Sequence, residues 1–240
     1  MKFFKEISDF ILPRNCSACF TLLPFDQSVL CNNCLSQFKY PSEELIVAEF
    51  NRKFAGENLI KDFSSAFIFE TGQPIQNLVH GLKYSKRFGN GIELGKLTGK
   101  RLIEKIKLWD ADFIIPIPLH SLKKAERGFN QAFFIAKGIS KITGIKINTG
   151  IVKRVKFTET QTHLNSLERK LNISKAFIVK RKNVIQGKNI ILVDDVITTG
   201  ATISECGKVL KNNGAANLFA LSAAIADFNS TSFQEHLNQE

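Results

Sequence analysis

Hydrophobic positions recur along this chain in two rhythms. Ile190-Ile-Leu-Val193 is an unbroken apolar run, the pattern of a strand buried on both faces of a parallel sheet. Phe63 to Phe69, Asp112-Phe-Ile-Ile-Pro116, Ala176 to Val179 and Leu218 to Ile225 read as further strands. Elsewhere the spacing is helical. Ile75, Leu78, Val79 and Leu82 share one side of a helix over 75–84, and a second amphipathic helix is expected over 92–107. A third runs from Gln131 to about Lys141. Ile203, Cys206, Val209 and Leu210 mark a fourth, stopped by Asn213-Gly214. The alternation is that of an α/β chain. Pro41 to about Asn58 is mixed and polar and predicts a connector, and the tail after Asp227 is polar. At the start, Phe3, Phe4, Ile7, Phe10 and Ile11 fall on one helical face. Such a stripe suits packing onto the chain's own domain, or contact with a membrane.

The strongest chemistry follows the apolar run at Ile190. Two carboxylates, Asp194 and Asp195, come next, then Thr198-Thr199-Gly200-Ala201-Thr202, then the helix. A loop entering a helix presents free N–H groups and the positive end of the helix dipole, so it cradles phosphate. Gly200 has no Cβ to hold a ligand away, and the threonine hydroxyls add donors. The carboxylates repel phosphate, but they accept hydrogen bonds from sugar hydroxyls or hold the water shell of magnesium. A ligand with a phosphate and a vicinal diol fits both halves. The plainer alternative is an ordinary βα turn with surface aspartates.

Two more segments carry candidate ligand groups. After Pro116-Ile-Pro118-Leu119-His120, a loop delivers Lys123, Lys124 and Arg127 near the carboxyl end of a strand. Ligands bind there in open α/β sheets. Three cations suit a diphosphate, and a solvated basic loop is the alternative. The long polar stretch from Arg154 through Thr158, Gln161 and Arg169 to Asn172 is a candidate lid. Leu82-Lys83-Tyr84-Ser85-Lys86-Arg87-Phe88 reads alone as a solvated basic turn. His120 and His163 are general-base candidates by position only.

Cys16-Ser-Ala-Cys19 and Cys31-Asn-Asn-Cys34 are two Cys-x-x-Cys pairs. Paired tight turns of this kind make a tetrahedral four-thiolate site for structural zinc, with no open catalytic position. Cys206 reads as a small core residue. The formal net charge of +11 favours polyanionic partners: nucleic acid, phosphorylated metabolites or an anionic membrane face. No run of apolar residues is long enough to span a bilayer, and the N-terminus lacks the apolar core of a signal peptide. A cytoplasmic protein is expected.

The run Ile190–Thr202 resembles the phosphoribosyl pyrophosphate (PRPP) motif of type I phosphoribosyltransferases. There the acidic pair holds the ribose hydroxyls and the Thr-Thr-Gly-x-Thr loop holds the 5′-phosphate. The wider arrangement resembles the ComF/GntX family. It comprises the paired Cys-x-x-Cys, Leu82-Lys83-Tyr84, Pro116-Ile-Pro118-Leu-His120, Arg127-Gly-Phe-Asn-Gln131, Thr158-x-x-Gln161 with Leu164, Arg169 and Asn172, and the acidic motif. Relatives often carry arginine before Arg-Gly-Phe-Asn-Gln, where this chain has Lys123 and Lys124, which keep the charge but not the planar fork. The resemblance implies a type I phosphoribosyltransferase fold, a central mostly parallel sheet flanked by helices, over 59–240. A small N-terminal four-cysteine zinc-binding domain with a helix and connector would occupy 1–58. It implies Asp194 and Asp195 as the catalytic pair, holding the ribose. Thr198, Thr199, Gly200, Ala201, Thr202, Leu119, His120, Lys123, Lys124 and Arg127 complete the PRPP-binding set, with magnesium as the ligand's companion. It also implies single-stranded DNA and DNA-uptake proteins as partners, in transformation or in DNA utilisation. A salvage phosphoribosyltransferase and a non-catalytic PRPP-sensing or single-stranded-DNA-binding module are the alternatives.

Overall fold

The structure is a computed structural model that describes residues 14–24, 27, 29–84, 87–156 and 176–226. In chain order its elements are α1 (Asn32–Ser36), α2 (Glu43–Phe54), β1 (Asp62–Phe69), α3 (Pro74–Tyr84), α4 (Phe88–Arg101), α5 (Ile103–Leu108) and β2 (Phe113–Pro116). They continue with α6 (Ser121–Arg127), α7 (Gln131–Thr143), β3 (Val152–Arg154), β4 (Phe177–Val179), β5 (Asn189–Ile197), α8 (Ala201–Lys211) and β6 (Asn217–Ala226).

Four strands form one parallel sheet in the order β1-β6-β5-β2. The unbroken run in β5 has the expected cause. Ile191 and Val193 join one core with Leu78, Leu82, Leu94, Ile135 and Ile139 of α3, α4 and α7. Ile190 and Leu192 join the other with Phe54 of α2 and Ile203, Cys206 and Leu210 of α8. Successive side chains of a strand point to opposite faces, so both faces must be apolar. All four residues are fully buried, each contributing about 1.5–3 kcal/mol relative to exposure. Strands β3 and β4 form a separate antiparallel pair.

Helices α4 and α7 touch backbone to backbone. A Cβ placed on Gly95 would lie 2.0 Å from the carbonyl oxygen of Ile135, and one on Gly138 would lie 2.2 Å from that of Ile92. With Gly91 and Gly99 one turn to either side, the glycines form a groove along α4. This contact fixes where α7, and hence its first residue, sits against the sheet.

The cysteine-bearing segment rests on the same core. Cys16, Ala18, Leu23, Leu30, Cys34 and Phe38 pack with Leu78 and Leu82, and the Asn77 side-chain amide donates to the Ala18 carbonyl at 2.9 Å. Among the described residues no helix is long and apolar enough to cross a membrane. The N-terminal stripe at Phe3–Ile11 and the tail after Asp227 lie outside the described residues.

Several elements differ from expectation. The connector contains helix α2. Ser42 caps it by accepting from the Leu45 N–H at 3.2 Å, and Glu43 and Glu44 lie in its first turn, favourable at a helix N-terminus. The helix expected over 92–107 begins at Phe88 and breaks at Leu102, whose φ of −105° and ψ of 17° leave the helical region. The basic loop is partly helical: α6 ends at Gly128, whose φ of 80° suits a residue without Cβ. Strand β5 runs through the acidic pair to Ile197 instead of ending before it.

Candidate functional site

The carboxyl ends of the parallel strands open onto a cavity of about 120 Å³. One wall comes from β5 and α8 and carries Asp194, Asp195 and Thr202. The segment after β2 contributes Ile117, Leu119, Arg127, Asn130, Gln131 and Ala132. Lys83 from the end of α3 and Arg154 from the end of β3 complete the lining.

The backbone orients both carboxylates. Asp194 Oδ1 accepts the Asp195 N–H at 2.9 Å, and Asp195 Oδ1 accepts the Val196 N–H at 2.8 Å. Asp195 Oδ2 faces Lys83 Nζ at 3.5 Å. Environment then separates two neighbours of identical chemistry. Burial, reinforced by the charge of Asp195, pushes the Asp194 carboxyl well above the usual carboxylate range. Burial also opposes ionisation of Asp195. There the Lys83 charge, the Val196 N–H and Arg127 outweigh it, so its pKa falls. Asp195 in turn raises the Lys83 pKa against the cost of its burial. Burial lowers Arg154, partly offset by Asp194. Lys83, Arg127 and Arg154 thus bring three cations to two carboxylates, one of which is held towards neutrality. Such a cavity suits an anionic ligand that also offers hydroxyl donors.

The hydroxyl-rich loop enters α8 beside this cavity. Gly200 takes φ 76°, a left-handed conformation costly for other residues. Its bare side faces protein: an added Cβ would lie 2.8 Å from the Phe54 ring and 3.1 Å from Lys53 Cβ. Helix α2 therefore supports the loop from behind. Thr199 Oγ1 accepts the Ala201 N–H at 3.4 Å, and Thr202 lines the cavity; Thr198 is partly exposed.

The other sequence-predicted groups divide. Leu119 and Arg127 reach the cavity. Lys123 is half-buried, and burial followed by the charges of Arg127 and Arg154 lowers its pKa. Lys124 is exposed. His120 caps α6, its Nδ1 accepting the Leu122 N–H at 3.3 Å. Arg154 belongs to strand β3 instead of a loop. Thr158, Gln161, His163, Arg169 and Asn172 lie outside the described residues.

Three lining residues do not stand out as ligand groups in the sequence. Lys83 reads as part of a solvated turn, because its partner Asp195 lies far along the chain. Asn130 ties the wall together: its amide donates to the Ile117 carbonyl at 2.9 Å and its Oδ1 accepts the Ala132 N–H at 3.1 Å. Gln131 is 3% exposed, and its Nε2 has no hydrogen-bond partner among the described residues. The run Arg127-Gly-Phe-Asn-Gln131 is the sequence signal for both.

The four N-terminal cysteines converge. Their sulfurs all lie within 4.8 Å of one another, and Cys19 and Cys31 are 3.7 Å apart. Metal–sulfur bonds of about 2.3 Å in a tetrahedron put sulfurs about 3.8 Å apart, so the donor set fits a metal. The Cys31 N–H donates to Cys16 Sγ and the Cys34 N–H to Cys31 Sγ, each at 3.4 Å. The Thr21 hydroxyl, 3.0 Å from Cys19 Sγ, helps pull that thiol down to about 6. Cys206 is buried in the opposite core, as expected.

Comparison with known proteins agrees with this architecture. Residues 113–232, half of the 240-residue chain, match the phosphoribosyl transferase domain family. The DNA utilization protein YhgH of Salmonella typhimurium is 33% identical over 60% of this chain and 64% of its own length. Competence protein F of Haemophilus influenzae is 34% identical over 61% of this chain and 66% of its own. Matches to these two thus span just under two thirds of the relatives. Competence protein ComFC of Streptococcus pneumoniae is 29% identical over 82% of this chain and 88% of its own. A parallel sheet flanked by helices, a four-cysteine cluster and these relatives together place the chain in the ComF family of phosphoribosyltransferase-domain proteins.

Proposed function

We propose that the cavity binds PRPP with magnesium and that the protein acts with single-stranded DNA in DNA uptake or utilisation. The observation that carries the reading is the meeting of the acidic pair, the hydroxyl-rich helix entrance and three cations in one cavity. Asp194 and Asp195 take the ribose hydroxyls, and the segment Thr198–Thr202 takes the 5′-phosphate on the α8 N-terminus. Arg127, with Lys123 and Lys124 nearby, takes the diphosphate, and Leu119 and His120 shape that wall. The carboxylate oxygens suit the water shell of magnesium, whose chemistry is to neutralise charge on the diphosphate. The cysteine cluster holds structural zinc, four thiolates leaving no open position.

DNA binding has support on the surface. Tyr84 is 58% exposed with Arg127 5.9 Å from its ring, and Phe20 is 59% exposed with Arg87 at 5.3 Å. Exposed rings beside cations on a chain of net charge +11 suit base stacking and backbone contact. The test is calorimetric titration of magnesium–PRPP into wild type and into Asp194→Asn/Asp195→Asn, with and without an oligodeoxynucleotide. Saturable binding lost in the variant is expected; equal affinity in both would overturn the ribose assignment.

A further inference from the structure

We propose that Gln131 is a ligand-binding residue whose side-chain amide donates to an oxygen of the diphosphate; this rests on the PRPP reading above. Gln131 is 97% buried, being 3% exposed, and lines the cavity. Its Nε2 finds no acceptor among the described residues. A buried amide donor left unpaired is costly and uncommon in a folded protein. The residue that carries this donor lines the cavity, so a ligand oxygen is the acceptor its amide lacks.

The placement chooses the half of the ligand. Asn130 fastens the start of α7 to the Ile117 carbonyl and caps it through the Ala132 N–H. Gln131 is therefore the first residue of a 13-residue helix, where the dipole favours negative charge. It lines the same cavity as Arg127, Asp194 and Asp195. In the PRPP reading Arg127 takes the diphosphate, and Gln131, four residues on, lines the cavity with it. The Gly95–Gly138 contact holds α7 against α4, so the amide is preorganised for its acceptor. An amide is neutral, so it adds a donor without adding charge to a cavity already holding three cations.

The test uses the full chain and three probes with magnesium: PRPP, inorganic pyrophosphate and ribose 5-phosphate. Gln131→Met keeps the volume and removes the donor; Gln131→Glu keeps the shape and adds charge. Loss of one hydrogen bond to a charged group predicts about tenfold or more weaker PRPP and pyrophosphate binding in Gln131→Met. Ribose 5-phosphate affinity should be unchanged, which also reports that the variant is folded. Gln131→Glu should bind both diphosphates more weakly still. Wild-type affinity for pyrophosphate in Gln131→Met, or equal weakening of all three probes, overturns the assignment, as does tighter binding by Gln131→Glu. Failure of wild type to bind PRPP overturns the underlying reading instead.

Discussion

Replacing Lys83 by methionine tests the cavity's electrostatics most directly. Methionine retains most of the side-chain length and removes the charge. Lys83 Nζ lies 3.5 Å from Asp195 Oδ2, with the side chains 29% and 15% exposed. At an effective dielectric near 20, that separation gives a gross attraction of about 5 kcal/mol. Desolvation of the ammonium, which methionine does not incur, offsets part of it, leaving a net loss of about 1–3 kcal/mol. In a chain of this size each kcal/mol moves the melting temperature by about 2–4 °C, so Lys83→Met should melt about 2–12 °C lower at pH 7. The pH dependence has a definite sign. Asp195 has a lowered pKa in the folded state, so its contribution is present above the unfolded carboxylate value and is lost as pH falls through the folded one. Lys83 is raised, so its contribution holds through neutrality and is lost only as alkaline pH passes its folded value. The gap between wild type and variant should therefore be full at pH 7 and close below about pH 4. Denaturant titration across pH, with a double-mutant cycle against Asp195→Asn, measures both. A melting temperature unchanged within about 1 °C at pH 7, or a coupling below about 0.5 kcal/mol, would refute the pairing.

Two further predictions concern the frame. The protein should carry about one zinc per chain by elemental analysis, and Cys34→Ser or chelation should lower its melting temperature, because the cluster shares a core with Leu78 and Leu82. A folded, metal-free chain with unchanged melting would refute the zinc reading. Gly95→Ala should cost about 2–3 kcal/mol or more, read as a lower urea midpoint, since its Cβ would meet the Ile135 carbonyl at 2.0 Å. Gly56→Ala, with nothing within 4 Å, is the neutral control; equal midpoints would show that α4 and α7 part at no cost.

What is legible in the sequence follows from the range of the interactions involved. Ile190–Val193 announces a strand covered on both faces, and the covering helices are there. The acidic pair and the threonine loop are readable because strand, turn and helix are contiguous. Two Cys-x-x-Cys pairs are readable because chelation geometry is local to each turn. Helix α2 is not. Its apolar positions Ile46, Phe50 and Phe54 are diluted by charged neighbours, and what they pack against lies in distant elements. Lys83 and Gln131 are not readable as cavity residues for the same reason. A lysine ending one helix and a glutamine opening another gain meaning only when the sheet carries both to one cavity. His120 carries a local role that its position does not announce: its Nδ1 serves a helix cap.

The contact of Phe54 and Lys53 behind Gly200 bears on how such proteins diverge and how they can be recombined. The floor of the loop is supplied by a helix encoded well upstream of the phosphoribosyltransferase match, which begins at residue 113. A chimaera that exchanges the leading segment between relatives would exchange that floor as well as the cysteine cluster. Drift in α2 can then reshape the loop without altering any residue that lines the cavity, and a scan for variation restricted to the cavity would not see it.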